Sequence, residues 1–135
     1  MPCLTWDDSF ALKIETIDEQ HKGLFDLVNR LFYSMQAAAS DKKIRQVLAE
    51  LIRYTMTHFA AEEAAMEAYG YPGLNEHRQE HEKLTAQVLE FIERYHTGHA
   101  KISSSLLDFL QNWLTGHILG SDHDFAQFLF SRGFA

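Results

Sequence analysis

The feature that most constrains this chain is a recurrence of apolar residues at alternating intervals of three and four positions, in each of four long segments. In the first segment the spacing runs through Ile17, His21, Leu24, Val28, Leu31 and Met35. Residues at these intervals lie on one face of an α-helix. The alternation of apolar and polar residues that is typical of strands does not occur in the sequence. The sequence therefore predicts an all-α fold.

Breaks in the pattern divide the chain into helices joined by short connections. A polar break falls at residues 39–43, and glycine-containing breaks fall at 69–73, 96–100 and 116–122. Four amphipathic helices with short connections are typical of an up-down-up-down antiparallel four-helix bundle. We predict a single domain over residues 1–135. Its parts are an N-terminal arm (1–16), the bundle (about 17–120) and a C-terminal segment (121–135).

The composition excludes several classes of function. A formal net charge of -7 argues against binding to nucleic acid or to anionic membrane surfaces. The most apolar stretch, 106–120, is interrupted by polar residues and predicts no membrane insertion. Cys3 is the only cysteine, so a reducing compartment fits, and the start of the chain lacks the pattern of a secretory signal. We expect a cytoplasmic protein, and a monomer because the bundle consumes the apolar stripes.

Six polar residues occupy positions that the helical spacing assigns to the core. They are His21, His58, Glu62, His77, His81 and His117. One inward histidine is ordinarily a hydrogen-bonded core residue, but each buried polar group without a partner costs about 1–3 kcal/mol. Several such costs would rival the net stability of a domain, about 5–15 kcal/mol. In an antiparallel bundle all six residues fall at the same end, so the sequence predicts a buried metal centre.

Asp122 is a seventh candidate ligand. It follows His117 by five residues, which turns it about 140° away on an ideal α-helix. A widened π-turn, eased by Gly116 and Gly120, would return it to the same face. The alternatives are a solvated carboxylate or a cap for a short following helix. His96, His99 and His123 are predicted to lie outside the site, which therefore takes five histidines and two carboxylates.

This donor set favours two metal ions over one. Five imidazoles and two carboxylates exceed the three protein ligands of a catalytic zinc ion. A nitrogen-rich set without thiolates fits iron, while manganese, zinc and copper remain open on spacing alone. The string H-x-x-E-H at 77–81 is also an inverted zinc-protease signature. However, Glu80 adjoins the inward-facing His81 and points about 100° away from its face, so we interpret Glu80 as a solvated charge.

Motifs along nearly the whole chain resemble those of the hemerythrin family, specifically the single-domain bacteriohemerythrins. They are "IDEQH" (17–21), "HFAAEEAAM" (58–66), "YPGLNEHRQEH" (71–81) and "WLTGHILGSD" (113–122). The resemblance implies reversible O2 binding at a non-haem di-iron centre with an oxo or hydroxo bridge. By this resemblance, one iron is held by His77, His81 and His117 and the other by His21 and His58, with Glu62 and Asp122 bridging them. It further implies an oxygen carrier rather than an enzyme, for storage, transport or delivery to an oxygen-consuming enzyme.

The resemblance also assigns an apolar pocket for O2, formed by Leu24, Phe59, Trp113, Leu114 and Ile118. Leu114 is expected to narrow the route of O2. Two alternatives are oxygen or redox sensing through a separate partner, and a ferritin-like di-iron oxidase or peroxidase. Ferritin-like sites use paired Glu-x-x-His motifs, whereas the set here is rich in histidine.

Overall fold

A computed structural model describes residues 4–37, 40–96 and 104–133 of the chain. The long helices are α1 (Glu15–Gln36), α2 (Asp41–Ala68), α3 (Leu74–His96) and α4 (Ser104–His117). A π-helix (Ile118–Asp122) and a further α-helix, α5 (His123–Ser131), continue directly from α4, and a 3-10 turn (Asp8–Phe10) lies in the N-terminal arm. Within these ranges no helix is both long and apolar enough to cross a bilayer. The described residues form no strand, and the predicted all-α four-helix bundle is confirmed.

The order of packing follows the order of the chain. Helix α1 packs against α2 and α4, and α2 packs against α3. The reversal between α2 and α3 is made at Gly70, whose φ of 66° is a left-handed conformation that favours glycine. Its N–H donates to the carbonyl of Glu67, and the N–H of Tyr71 donates to that of Met66, at 3.1 and 2.9 Å. These two bonds satisfy the last carbonyls of α2 and end the helix sharply.

Helices α1 and α2 approach each other closely at Gly23. A Cβ atom added there would lie 2.2 Å from the hydroxyl oxygen of Tyr54. A larger side chain would therefore displace this ring. The glycine sits half a turn after His21 and brings the ligand-bearing faces of the two helices together.

The N-terminal arm packs along α1. The ring of Phe25 meets the rings of Trp6 and Phe10 edge-on, with centroids 5.3 and 5.0 Å away. The amide of Asn29 pairs with the backbone of Leu4, accepting from its N–H at 2.7 Å and donating to its carbonyl at 2.8 Å. The apolar residues of the arm thus order it against the bundle.

Two separate apolar clusters divide the core. The main cluster draws on all four long helices, and the second contains Leu12, Ile17, Met66, Phe125, Ala126 and Leu129. Along α1, Ile17 belongs to the second cluster and Leu24 to the main cluster, with His21 between them. The predicted metal residues therefore occupy a polar layer that has apolar side chains above and below.

The second cluster depends on a helix that lies within the predicted C-terminal segment. The fourth helix was expected to end near residue 120, but the chain remains helical through Ser131. The π-helix allows this continuation, because it re-aims the chain without ending the helix. Phe125 and Leu129 of α5 then cover the end of the bundle that carries the polar layer.

Candidate metal centre

All seven predicted ligands lie in one buried cluster. They come from α1, α2, α3, α4 and the π-helix, and comprise His21, His58, Glu62, His77, His81, His117 and Asp122. Glu62 and Asp122 are each only 1% exposed. Two carboxylates at this depth require compensating positive charge.

Glu62 stands between two groups of histidines. Its Oε2 atom lies 3.1 Å from Nε2 of His58 and 3.6 Å from Nε2 of His21. Its Oε1 atom is in close contact with Nε2 of His77 and lies 3.3 Å from Nε2 of His81. Each oxygen therefore faces a different potential metal position, one with two histidines and one with three.

Asp122 repeats this division. Its Oδ2 atom lies 3.0 Å from Nε2 of His21, in the group of two histidines. Its Oδ1 atom lies 3.0 Å from Nε2 of His77 and 3.2 Å from Nε2 of His117, in the group of three. Both carboxylates thus present one oxygen to each group, as bridging ligands of a metal pair do.

The π-helix explains how Asp122 reaches the cluster. On an α-helix the residue five positions after His117 would point about 140° away. The widened turn at Ile118–Asp122 returns its side chain to the ligand face, as predicted. The alternatives are wrong, because Asp122 is buried and its side chain makes no cap hydrogen bond to α5.

Several atoms of the cluster lie close together without bonding to one another. Among the described residues, Nε2 of His21, Oε2 of Glu62 and both oxygens of Asp122 lack a hydrogen-bond partner of suitable geometry. Each such buried atom costs about 1–3 kcal/mol if nothing else satisfies it. Atoms aimed at a shared centre behave as ligands of an ion. Imidazole and carboxylate donors without sulfur fit a pair of iron ions.

Electrostatics in the cluster couple histidine protons to the carboxylates. Burial alone lowers the pKa of His117, but hydrogen bonds and charges from Asp122 and Glu62 outweigh burial and raise the pKa to about 10. The same balance raises the pKa values of His21 and His77 to about 9. Burial and the charge of Glu62 raise the pKa of Asp122, but hydrogen bonds from the histidines prevail and lower it to about 2. Metal ions would replace these imidazole protons.

Two ligand histidines are oriented by residues of the preceding helix. The Nδ1–H of His58 donates to Oε1 of Gln20 at 2.6 Å. The Nδ1–H of His81 donates to Oε2 of Glu63 at 2.9 Å. With the proton held on Nδ1, the lone pair of Nε2 faces the cluster, which is the tautomer that metal binding requires.

Glu80 does the same for His117, so its interpretation as a solvated charge is wrong. Its Oε2 atom accepts the Nδ1–H of His117 at 2.9 Å, and the hydroxyl of Ser121 donates to the same carboxylate. The angular argument was sound, but a rotation of about 100° from an inward face points toward the neighbouring helix, not toward solvent. Only a rotation near 180° would point outward.

Sequence reasoning did not find Gln20 and Glu63 as partners of the ligands, and it misread Glu80. The three share a pattern, since each adjoins a ligand in sequence and bonds a ligand histidine on the next helix. A polar residue immediately beside an inward ligand is thus a usable signal. The identity of the bonded histidine depends on how the helices pack.

Two aromatic rings cover ligand histidines on the side of the main cluster. Phe59 stacks on His81 with centroids 3.7 Å apart, and Trp113 stacks on His117 with centroids 4.4 Å apart. These contacts separate the imidazoles from the apolar space beyond. The rings therefore shield the polar layer and restrict the motion of two ligands.

An apolar cavity of about 50 Å³ lies on the other side of these rings. Four of the predicted pocket residues line it, namely Leu24, Phe59, Trp113 and Leu114. Ile118 is fully buried in the main cluster but does not line the cavity.

The polar groups that border this cavity are already engaged. The hydroxyl of Thr55 donates to the carbonyl of Leu51 at 2.6 Å, and that of Thr85 to the carbonyl of His81 at 2.8 Å. Both hydroxyls therefore turn back onto their own helices. The cavity suits a small apolar molecule better than water.

The remaining histidines were predicted to stand apart from the cluster. The Nε2–H of His123 donates to the carbonyl of Ser9 at 3.2 Å, which ties α5 to the N-terminal arm. The side chain of His96 and the whole of His99 lie outside the described residues.

Comparison with known proteins gives a consistent result. The family model described as the hemerythrin HHE cation binding domain matches residues 12–129. A bacteriohemerythrin of Stenotrophomonas maltophilia is 38% identical over 101 residues, which are 73% of this chain and 63% of that protein. The corresponding protein of Methylococcus capsulatus is 33% identical over 73% of this chain and 75% of its own length.

The fold leads to the same family. A crystal structure of wild-type hemerythrin superposes with a TM-score of 0.84 at 32% identity, covering 92% of this chain and 95% of that one. The matched regions include every helix that contributes to the buried cluster. The chain belongs to the hemerythrin family.

Proposed function

We propose that this protein binds O2 reversibly at a pair of non-haem iron ions, for oxygen storage, transport or delivery to an oxygen-consuming enzyme. The observation that carries the proposal is the sharing of two buried carboxylates between unequal groups of histidines. Relatives of this chain named bacteriohemerythrin and myohemerythrin support it.

The unequal groups suggest different roles for the two ions. His77, His81 and His117 would hold one iron, and His21 and His58 the other, with Glu62, Asp122 and an oxo or hydroxo group bridging them. The ion with two histidines has fewer protein donors, so it keeps the more accessible coordination position for O2. The difference of one imidazole thus decides where O2 enters.

When bound, the iron pair supplies the electrons that O2 binding requires. The chain supplies neutral imidazoles and limits the negative charge to the carboxylates of Glu62 and Asp122. Leu24, Phe59 and Leu114 line an apolar space beside the ligands. A dry surrounding slows the entry of protons and water, which favours reversible binding over irreversible oxidation of the metal.

The same geometry favours a carrier over a di-iron enzyme. Ferritin-like oxidases draw most of their ligands from glutamates in paired Glu-x-x-His motifs. Here five buried histidines accompany two buried carboxylates. We therefore propose an oxygen carrier, and treat catalytic turnover of O2 as the competing outcome of the test.

The test begins with iron-loaded, anaerobically reduced protein of known iron content. Adding O2 should produce a visible absorption band that disappears when O2 is removed, over repeated cycles. Steady consumption of O2 in the presence of a reductant would indicate an oxidase and overturn the carrier proposal. A single bound zinc ion as the native metal would overturn the iron assignment.

A monomeric state and a cytoplasmic location are further parts of the proposal. In the described ranges, large exposed apolar side chains are distributed over several helices, at Tyr33, Met56, Tyr69, Leu89 and Leu119. Scattered residues of this kind do not form the broad patch typical of a permanent interface. Analytical ultracentrifugation over a range of concentrations should show a single species of 15.6 kDa.

A further inference from the structure

One carboxylate contacts both ends of the π-helix. Oε2 of Glu80, on α3, accepts the Nδ1–H of His117, the residue immediately before the π-helix, at 2.9 Å. The hydroxyl of Ser121, near the end of the π-helix, lies 2.9 and 2.7 Å from the two oxygens of the same carboxylate. Glu80 therefore links α3 to a segment that joins two candidate ligands.

The π-helix has reason to need such a link. A π-turn is rarer than an α-turn, and this segment must keep it for Asp122 to face the cluster. If residues 118–122 relaxed to an α-helix, Asp122 would turn about 140° away from His117. On the outer side, Leu119 is 47% exposed, and a Cβ added to Gly120 would meet nothing within 4 Å. Packing therefore contributes little on that side.

We propose that Glu80 is a positioning residue that holds the π-helix in place, so that His117 and Asp122 face the same metal pair. The proposal rests on the metal centre of the proposed function and adds a residue that is not itself a ligand. Glu80 acts in two ways. It keeps the proton of His117 on Nδ1, which leaves Nε2 for the metal, and it anchors Ser121 to α3.

The chemistry of the carboxylate suggests a discriminating set of variants. Glu80→Ala removes both contacts. Glu80→Gln keeps the shape, because the amide oxygen accepts from His117 and the amide N–H donates to Ser121. Ser121→Ala removes the anchor and leaves the contact with His117. Glu82→Ala is the matched control, because Glu82 is exposed on the same helix and its loss changes the net charge equally.

Two measurements test these variants. The first is backbone hydrogen exchange of a peptide covering residues 118–123, in both iron-loaded and metal-free protein. The second is the rate at which anaerobically reduced, iron-loaded protein loses iron to a ferrous chelator. Glu80→Ala should exchange faster in the 118–123 peptide and lose iron about 10–100-fold faster than the wild type.

The other variants separate the two contributions. Glu80→Gln should restore most of the exchange protection and part of the iron retention. Ser121→Ala should raise exchange with a smaller effect on iron loss, and Glu82→Ala should match the wild type. If Glu80→Ala matched Glu82→Ala in both measurements, the positioning role would be overturned.

Failure of this proposal is distinguishable from failure of the proposed function. If the wild type bound no iron pair, the proposed function would fail. Hydrogen exchange in the metal-free protein would still decide whether Glu80 holds the π-helix. If instead the wild type bound iron and O2 normally while Glu80→Ala behaved like the control, only the role of Glu80 would be lost.

Discussion

The phenyl ring of Phe59 lies parallel to the imidazole of His81, with centroids 3.7 Å apart and planes inclined by only 3°. The same phenyl ring lines the apolar cavity. Phe59 therefore forms the wall between a candidate metal ligand and the space proposed for O2. A single side chain supports the position of the ligand and keeps water from its surroundings.

Phe59→Ala should both destabilise the protein and expose the metal centre. Truncating a buried phenylalanine typically costs about 3–5 kcal/mol of unfolding free energy. Water entering the enlarged space should also accelerate oxidation of the reduced irons by O2. Denaturant titration and the rate of loss of the oxygenated spectrum measure the two effects. Phe25→Ala is the control, since Phe25 is buried against Trp6 and does not line the cavity. Equal oxidation rates in the two variants would contradict the shielding role.

Leu114→Ala should change the kinetics of O2 binding. Leu114 lines the cavity, and its truncation widens the space through which O2 would pass. We expect faster O2 association and dissociation, measured by stopped-flow and flash photolysis, together with faster autoxidation. Leu107→Ala serves as the control, because Leu107 is buried on the same helix without lining the cavity. Unchanged rates in Leu114→Ala would count against a gating role.

Two neighbouring residues provide a matched test of metal binding. Asp122 faces both histidine groups, whereas His123 turns to the carbonyl of Ser9. Asp122→Ala should lower the iron content per chain, because a bridging ligand is lost, while His123→Ala should retain the wild-type content. Elemental analysis of protein reconstituted with ferrous iron gives the comparison. Full iron content in Asp122→Ala would contradict the assignment of Asp122 as a ligand.

The stability of metal-free protein should fall as the pH rises. The folded state raises the pKa values of His21 and His77 to about 9 and that of His117 to about 10, above the ordinary value of 6.5. A group with a raised pKa stabilises the fold fully below its unfolded pKa, and this contribution disappears as the pH passes through the folded value. The melting temperature should therefore decline between about pH 6.5 and 10.

Iron-loaded protein is the control for this pH dependence. Its histidines are held by metal and not by protons, so the decline over the same pH range should be smaller. Binding of ferrous iron at pH 7 should also release protons, measurable by calorimetry in buffers of different ionisation enthalpy. A pH-independent melting temperature of metal-free protein would contradict the coupling between histidines and carboxylates.

Much of the fold and the cluster was predictable from spacing alone. The intervals that run through Ile17, His21 and Leu24 define one face of a helix and place the histidine on it. The five-residue step from His117 to Asp122 indicated a widened turn, which the structure contains. These inferences succeeded because they concern a single helix, whose geometry is fixed by its own backbone hydrogen bonds.

Relations between helices were less accessible. Glu80 was assigned to solvent, and the closing role of Phe125 in the second cluster was not anticipated. Both depend on which surface of a neighbouring element lies opposite. Ile118 likewise shares a face with cavity residues but lies just beyond the cavity itself.

The sequence by itself determined four helices and the inward position of six polar side chains, because helical periodicity converts residue number directly into direction. The tertiary structure decided which carboxylate oxygen faces which histidine and which acceptor holds each imidazole proton. It also decided that apolar clusters seal the polar layer on both sides. These features depend on distances of about 3 Å between separate helices, which packing sets and local sequence does not encode.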